Sequence, residues 1–278
     1  MTGATQAVRR GGRHAPARGA ALRRGLDWGN RVIGVLVVLA LWQLLPSAGA
    51  VSPSAVPPLD DVASALAGQL GSAALWTALG ETVTGWAIGL AAAAVGGIVA
   101  GLAIGAIPYA RQATESTVEF LRPIPSVALI PLVVLVYGTD IRSDLVLVIY
   151  ASFWQVLIQV LYGMQDVDPV ALETARSYRL GRLSRIRYVT WPTALPYVIT
   201  GLRLAATIAL VLEITAELVI GGRGLGSLLS VTRASGAAAG TYALVVIAGL
   251  LGLIVNVAAT KVESVALPWH HAQRSAAA

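Results

Sequence analysis

The chain has 278 residues, of which 56% are hydrophobic and 12% charged, and its formal net charge is +6. A soluble domain is usually about 25% charged, so a soluble fold would lack polar surface here, and the mean hydropathy of +0.73 indicates an integral membrane protein. The lack of cysteine excludes disulfides and thiolate sites, three histidines are too few to suggest a metal site, and the basic excess favours cytoplasmic loops over nucleic-acid binding.

The first predicted element is an arginine-rich tail, residues 1–31, which we expect to be disordered and cytoplasmic. The apolar run over residues 32–46 follows, and we interpret it as the first transmembrane span. The small residues of Ala48–Ala50 resemble a signal-peptide cleavage site, so a secretory signal is the alternative. Trp28 and Trp42 suit the two interfaces of a retained helix and favour the span.

A helix on the outer membrane surface is predicted over residues 59–70, where apolar and small residues recur at helical spacing. The second span, residues 79–107, carries two sets of glycines at four-residue spacing: Gly85 and Gly89, then Gly97, Gly101 and Gly105. This spacing places each set on one helix face and lets another backbone approach closely. We therefore predict tight helix packing along the second span.

The third predicted span, residues 120–137, follows a short loop with Pro108 and Arg111 and reads FLRPIPSVALIPLVVLVY. Its three prolines would break a soluble helix, but a membrane bundle can satisfy the freed backbone groups. We predict a kinked span that lines a cavity, with the kink at Pro123, Pro125 and Pro131.

Three further spans complete the predicted bundle. The fourth, residues 145–162, carries candidate pathway residues Trp154, Gln155 and Gln159. A basic loop, residues 166–192, separates it from the fifth span, residues 196–220. A glycine-rich stretch precedes the last span, residues 243–259.

Six spans predict an all-α integral membrane protein with a membrane domain over residues 32–262 and a short tail over residues 263–278. An even number of spans places both termini on one side of the membrane. Arginines concentrate in the first tail and in the loop of residues 166–192, and Arg111 lies in the loop after the second span. All three segments fall on the same side of the membrane as the termini. By the positive-inside rule, both termini are therefore expected to be cytoplasmic.

The chemistry of an ATPase is missing from the sequence. Lys261 is the single lysine, and nothing around it matches the phosphate-binding loop Gly-x-x-x-x-Gly-Lys-Ser/Thr. We find no arrangement typical of a catalytic site, so we expect no enzyme activity, and any ATP that drives the protein must bind another chain.

Charged residues within the fifth span are the remaining candidates for function. Arg203, Glu213 and Glu217 lie in this span, where charge is costly and often marks a pathway or an ion pair. Glu213 and Glu217 are four residues apart and share a helix face. Two readings stay open: a proton or cation site, or a structural ion pair or interface anchor.

The basic loop contains the stretch ALETARSYRLGRLSRIRYVTWP, residues 171–192. Asp168 is placed to cap a helix and Pro169 suits its first position, while Gly181 allows a break between two short helices. An arginine-rich helix on anionic lipid would explain the charge. It would not explain Glu173 or the small residues.

At these residues the chain resembles the permease subunit of a binding-protein-dependent ABC importer, of the nitrate, sulfonate and taurine type. Glu173-Thr174-Ala175 matches the start of the family's cytoplasmic signature, and Pro192 falls at its end. Arg179 stands where the family usually has glycine. The stretches LRPIPSVALIPLVVLVYG and LPYVITGLRLA resemble family blocks in the same order.

The resemblance implies a type I-like importer in a bacterial inner membrane, for a small sulfonate-, nitrate- or taurine-like solute. It implies a homodimer of permeases, a dimer of ATPase subunits that binds ATP and Mg²⁺, and an extracytoplasmic solute-binding protein. This chain would hold no cofactor. It would dock its ATPase through residues of the basic loop: Glu173, Thr174, Ala175, Arg176, Tyr178, Arg179, Leu180, Gly181 and Arg182.

Two functions of other classes stay open from the sequence. A secondary transporter driven by an ion gradient would use Glu213 and Glu217 for coupling, although no inverted repeat is visible among the residues. A membrane scaffold would use the basic loop only for contact with lipid.

Overall fold

The structure is a computed structural model that describes residues 18–267, with side chains from residue 33 onward. Every regular element in that range is a helix, as the sequence predicts. The helices are α1 Arg18–Ser47, α2 Leu59–Leu70, α3 Ala73–Gly105, α4 Pro108–Leu121, α5 Ile130–Tyr137, α6 Ile141–Gln165, α7 Pro169–Ser177, α8 Arg182–Arg185, α9 Trp191–Ile220, α10 Gly224–Ala234 and α11 Ala238–Ala266.

Residues up to Leu59 form one compact unit and those from Asp60 onward another. In the first unit, the loop after α1 folds back on the end of that helix. The Trp42 indole donates to the Pro57 carbonyl at 3.0 Å, and the Leu59 amide donates to Gln43 at 2.7 Å. Helix α1 begins at Arg18, so residues 18–31 of the predicted disordered tail are helical, whereas residues 1–17 lie outside the described part.

Four helical stretches in the described residues are long and apolar enough to cross a membrane: α3, α6, α11 and the continuous helix Arg182–Ile220. The most apolar stretches of α3 and α11 are only 22% buried within the chain. Such exposed apolar surface would be costly in water and suits contact with lipid or another subunit. The apolar part of α1, Ile33–Ser47, is shorter than these four.

Glycines hold α3 and α6 side by side in one register. A Cβ added at Gly89 would meet Val148, one at Gly97 would meet Val156, and one at Gly101 would meet Val160. Because the residue numbers in α3 and in α6 increase together along these contacts, the two helices run parallel. The close packing predicted from the glycine spacing is confirmed.

The chain between α3 and α6 forms a broken helix. We predicted a loop around Arg111, but residues 108–121 form α4. A bend of 78° separates this helix from the segment Ser126–Tyr137, which begins with a 3₁₀ turn and continues as α5. The prediction missed α4 because its arginine and glutamates lower its hydropathy.

The basic loop leads into α9 without a helical break after Gly181. A π-helical turn, Ile186–Thr190, joins α8 to α9, and the Trp191 amide donates to the Ile186 carbonyl. This wider turn precedes Pro192, whose ring would crowd the carbonyl four residues back in a regular α-helix. Helix therefore runs continuously from Arg182 to Ile220.

Candidate functional site

The basic loop, residues 166–192, starts with a capped helix, and we call this loop the docking segment because it contains the predicted docking residues. The Asp168 side chain accepts a hydrogen bond from the Val170 amide at 2.8 Å, and Pro169 occupies the first position of α7. Both local predictions are confirmed. The cap satisfies one of the amides that every helix leaves free at its start.

Helix α7 ends in a Schellman turn built around an arginine. The Leu180 amide donates to the Ala175 carbonyl at 3.0 Å, and the Arg179 amide donates to the Arg176 carbonyl at 2.8 Å. Arg179 has φ 55°, the left-handed conformation that usually requires glycine at this position. Gly181 has φ −60° and caps α8. The break thus lies where Gly181 predicts it, but Arg179 makes the turn.

The docking segment presents arginines and large apolar side chains together. Tyr178 is 80% and Leu183 is 83% exposed, whereas Ala175 is buried. Arg176, Arg179 and the other predicted docking residues apart from Ala175 are exposed: Glu173, Thr174, Leu180, Gly181 and Arg182. This surface offers both charge and apolar area to a partner.

Two adjoining cavities lie between the broken helix and α6. The first, which we call the mid-span cavity, has about 190 Å³ and lies at the break. Its lining is Arg122, Ile124, Pro125, Ser126, Tyr150, Ala151, Trp154, Gln155, Ile208 and Leu212. The second, the vestibule, has about 490 Å³ and shares Arg122 and Gln155 with the first. It continues towards Gln165, close to the docking segment.

Predicted residues Trp154 and Gln155 both line the mid-span cavity, and Pro123 and Pro125 lie in the bend beside the two cavities. Trp154 is 9% exposed, and its indole N–H has no hydrogen-bond partner in the described structure. Pro131 has a different position, since it is the second residue of α5.

Two other pathway candidates lie in helix contacts. Gln159 packs against Gly201 of α9, where an added Cβ would lie 2.9 Å from the Gln159 Cβ. Arg203 forms an ion pair with Glu263 of α11, with 2.8 Å between Nη1 and Oε2. These contacts tie α6 to α9 and α9 to α11.

Glu217 binds the start of α10. Its carboxylate accepts from the Gly226 amide at 2.9 Å and from the Thr82 hydroxyl at 2.8 Å. Thr82 in turn accepts from the Leu225 amide, while Glu81 accepts from the Gly224 amide. Side chains of α3 and α9 therefore satisfy the first three amides of α10, where the helix dipole also favours carboxylates.

Glu213 lies one turn before Glu217 and is 2% exposed. Its side chain covers Gly85, where an added Cβ would overlap the carboxylate. The α3–α6 register sets Asp144, which is 3% exposed, opposite the same glycine. Glu213 Oε2 and Asp144 Oδ1 have no hydrogen-bond partner in the described structure. Among the described residues, no group of three His, Cys, Asp or Glu side chains is arranged to hold a metal ion.

The predicted pathway residues do not include Arg122 or Asp144, and the reasons differ. Arg122 stands inside the quoted third-span stretch, and a cation before a Pro-x-Pro break in an apolar segment is a usable signal. Asp144 precedes the predicted fourth span by one residue, so the predicted span does not include it. Only the packing of α3 against α6 reveals its burial.

Comparison with known proteins gives consistent matches. Residues 93–264 match the family described as binding-protein-dependent transport system inner membrane component. The taurine transport system permease protein TauC of Escherichia coli K12 is 30% identical over 244 residues, covering 86% of this chain and 89% of that protein. The nitrate import permease protein NrtB of Leptolyngbya laminosa is 25% identical over 246 residues, covering 86% of each.

A solved structure shares the fold. The MetNI methionine ABC transporter in an inward-facing conformation matches with a TM-score of 0.54 at 16% identity, covering 69% of this chain and 94% of that one.

Proposed function

The chain belongs to the binding-protein-dependent transport system inner membrane components, and from this premise we propose that it forms the membrane path of an ATP-driven importer for a small sulfonate, nitrate or taurine-like solute. The observation that carries the proposal is the 30% identity to a taurine permease over 86% of the chain. Relatives named for nitrate and aliphatic sulfonates support a solute of the same class.

The docking segment is proposed to bind a separate ATPase. Its exposed arginines, with Tyr178 and Leu183 beside them, offer the mixed polar and apolar surface expected of a protein interface. The ATPase dimer would bind ATP and Mg²⁺ and push on the segment, while an extracytoplasmic binding protein delivers solute to a pair of permease copies.

Charge reversal tests the docking segment. In the double variant Arg176→Glu/Arg182→Glu, we expect the ATPase encoded beside this chain to be lost from the purified complex while the permease still reaches the membrane. Arg142→Glu is the matched control, because Arg142 is exposed but lies at the opposite end of the bundle, at the start of α6. Retention of the ATPase by the double variant would refute the docking role.

Six spans with both termini in the cytoplasm are the proposed topology, with α4 and α5 together as one broken span. The chain lacks cysteine, so single cysteines report on topology without background. An impermeant maleimide added to intact cells should label Ser235→Cys, between α10 and α11, and should label Ser177→Cys only after permeabilisation. The reverse pattern would overturn the topology.

The ion-gradient alternative receives no support from the contacts of Glu217. A coupling carboxylate must exchange its ion with a pathway, but Glu217 is 1% exposed and holds the first turn of α10. Uptake that persists without ATP and follows a proton gradient would nevertheless refute the importer.

A further inference from the structure

The mid-span cavity lies at a break in a membrane helix. Leu121, the last residue of α4, accepts a hydrogen bond from the Tyr150 hydroxyl at 2.7 Å, so the break lies near the middle of α6. Discontinuous helices near the middle of the membrane form substrate sites in many transporters, since their unpaired backbone and flanking side chains are available to a solute. Position alone does not identify that solute.

The hydrogen-bond donors of the cavity indicate what it binds. The indole N–H of Trp154 can only donate, and it is buried without a partner beside the cavity. Buried donors in native proteins nearly always have an acceptor. Phe153 and Tyr150 contact the Trp154 ring edge-on, at centroid distances of 5.2 and 5.9 Å, which fixes the orientation of the indole. No protein group in the described structure supplies that acceptor, and the cavity that the Trp154 side chain lines is a space from which a solute could supply it.

The charge of the cavity has one sign. Arg122 is the single charged residue among the described residues that line it. The vestibule differs, because Glu115 and Glu119 there balance Arg111 and Arg122. A solute that passes from the mid-span cavity to the vestibule thus leaves a net cationic site for a neutral one, which would favour release of an anion.

The remaining polar groups suit the oxygens of such an anion. The Gln155 amide and the Ser126 hydroxyl also line the cavity and can each donate a hydrogen bond. The cavity volume of about 190 Å³ is several times the volume that one molecule occupies in liquid water, about 30 Å³. A solute with a few heavy atoms therefore fits.

We propose that Arg122, Trp154 and Gln155 form an oxyanion-binding site in the membrane, at which the sulfonate or nitrate group pairs with the guanidinium and accepts the indole N–H. This inference rests on the proposed importer function and deepens it. Planar guanidinium groups bind such oxygens through two parallel hydrogen bonds. The site would give the permease its own preference for anions, beyond that of the binding protein.

The test is calorimetric titration of the purified permease–ATPase complex, without binding protein, using the sodium salts of methanesulfonate, taurine and nitrate. We expect at least one of these salts to bind the wild-type complex. Choline chloride, the control for a cationic solute, should bind neither the wild-type complex nor the variants described next. Trp154→Phe keeps the ring and removes the donor, and Arg122→Gln removes the charge. Each should weaken binding about tenfold or more, whereas Arg111→Gln in the vestibule should not.

The two proposals fail in different ways. If no ATPase co-purifies with the wild-type chain, the importer function is refuted. If an assembled complex hydrolyses ATP but binds none of the three anions, or binds them equally well in Arg122→Gln and Trp154→Phe, the oxyanion site alone is refuted. Co-elution of the ATPase with each variant, at the elution volume of the wild-type complex, shows that both variants fold and assemble.

Discussion

Replacing Arg179 with glycine should stabilise the docking segment. The residue holds φ 55° in the Schellman turn, and a left-handed conformation costs a residue with a Cβ about 1–2 kcal/mol. Glycine avoids this cost but loses about 0.5–1 kcal/mol more backbone entropy on folding. The net gain is therefore about 0.5–1 kcal/mol, which corresponds to a two- to fivefold smaller population of the open turn and to slower amide exchange in the same proportion.

Hydrogen exchange measures this change directly. The Leu180 amide donates to Ala175 across the turn at 3.0 Å, so its exchange rate reports how often the turn opens. We expect slower exchange in Arg179→Gly and faster exchange in Arg179→Val, because a β-branched residue tolerates positive φ least. Gly181→Ala is a matched control, since Gly181 has φ −60° and open space around its Cα.

Arg179→Ala separates the backbone from the charge. Alanine removes the guanidinium but keeps the Cβ, so exchange at Leu180 should stay close to that of the wild type. If alanine slows exchange as much as glycine does, the guanidinium rather than the backbone conformation governs the turn, and the reasoning is refuted.

Two further predictions concern the packing of α3, α9 and α10, and thermal unfolding of the purified complex measures both. Gly85→Ala should destabilise the protein by about 1–3 kcal/mol, because the new Cβ overlaps Glu213; Gly80→Ala, with open space, should be neutral or slightly stabilising, and equal effects would contradict the packing. Glu217→Ala should cost about 1–3 kcal/mol for each buried donor left unpaired, including the Gly226 amide. Glu217→Gln keeps an acceptor and should cost less, and an equal loss in the two variants would contradict the explanation by unpaired donors.

Local signals in the sequence predict local structure well here. The cap by Asp168 and the start of α7 at Pro169 follow from preferences that act within one turn. The helix Leu59–Leu70 has the bounds that its spacing predicts. The four-residue spacing of Gly97, Gly101 and Gly105 predicts a close helix, and α6 supplies it.

Features that depend on distant residues could not be predicted. The Glu217 carboxylate binds Thr82, which is 135 residues away in sequence, and no spacing rule joins such positions. The positive φ of Arg179 is also hidden, because no local pattern marks an arginine that takes the place of glycine. The mid-span cavity needs the break after α4, together with α6 and α9, so the single charged residue in its lining can be recognised only after these elements have packed.

The unbroken helix from Arg182 to Ile220 turns the docking segment into the short end of a lever. Its 39 residues give a length of about 58 Å, and about 39 Å separates Ile186 from Leu212 at the cavity wall. A tilt of about 4° at the docking end would shift that wall by nearly 3 Å, about the diameter of a water molecule. In the proposed importer, a small movement of the ATPase would therefore be sufficient to widen or narrow the path, and the helix would transmit less of that movement if it bent at the π turn beside Ile186.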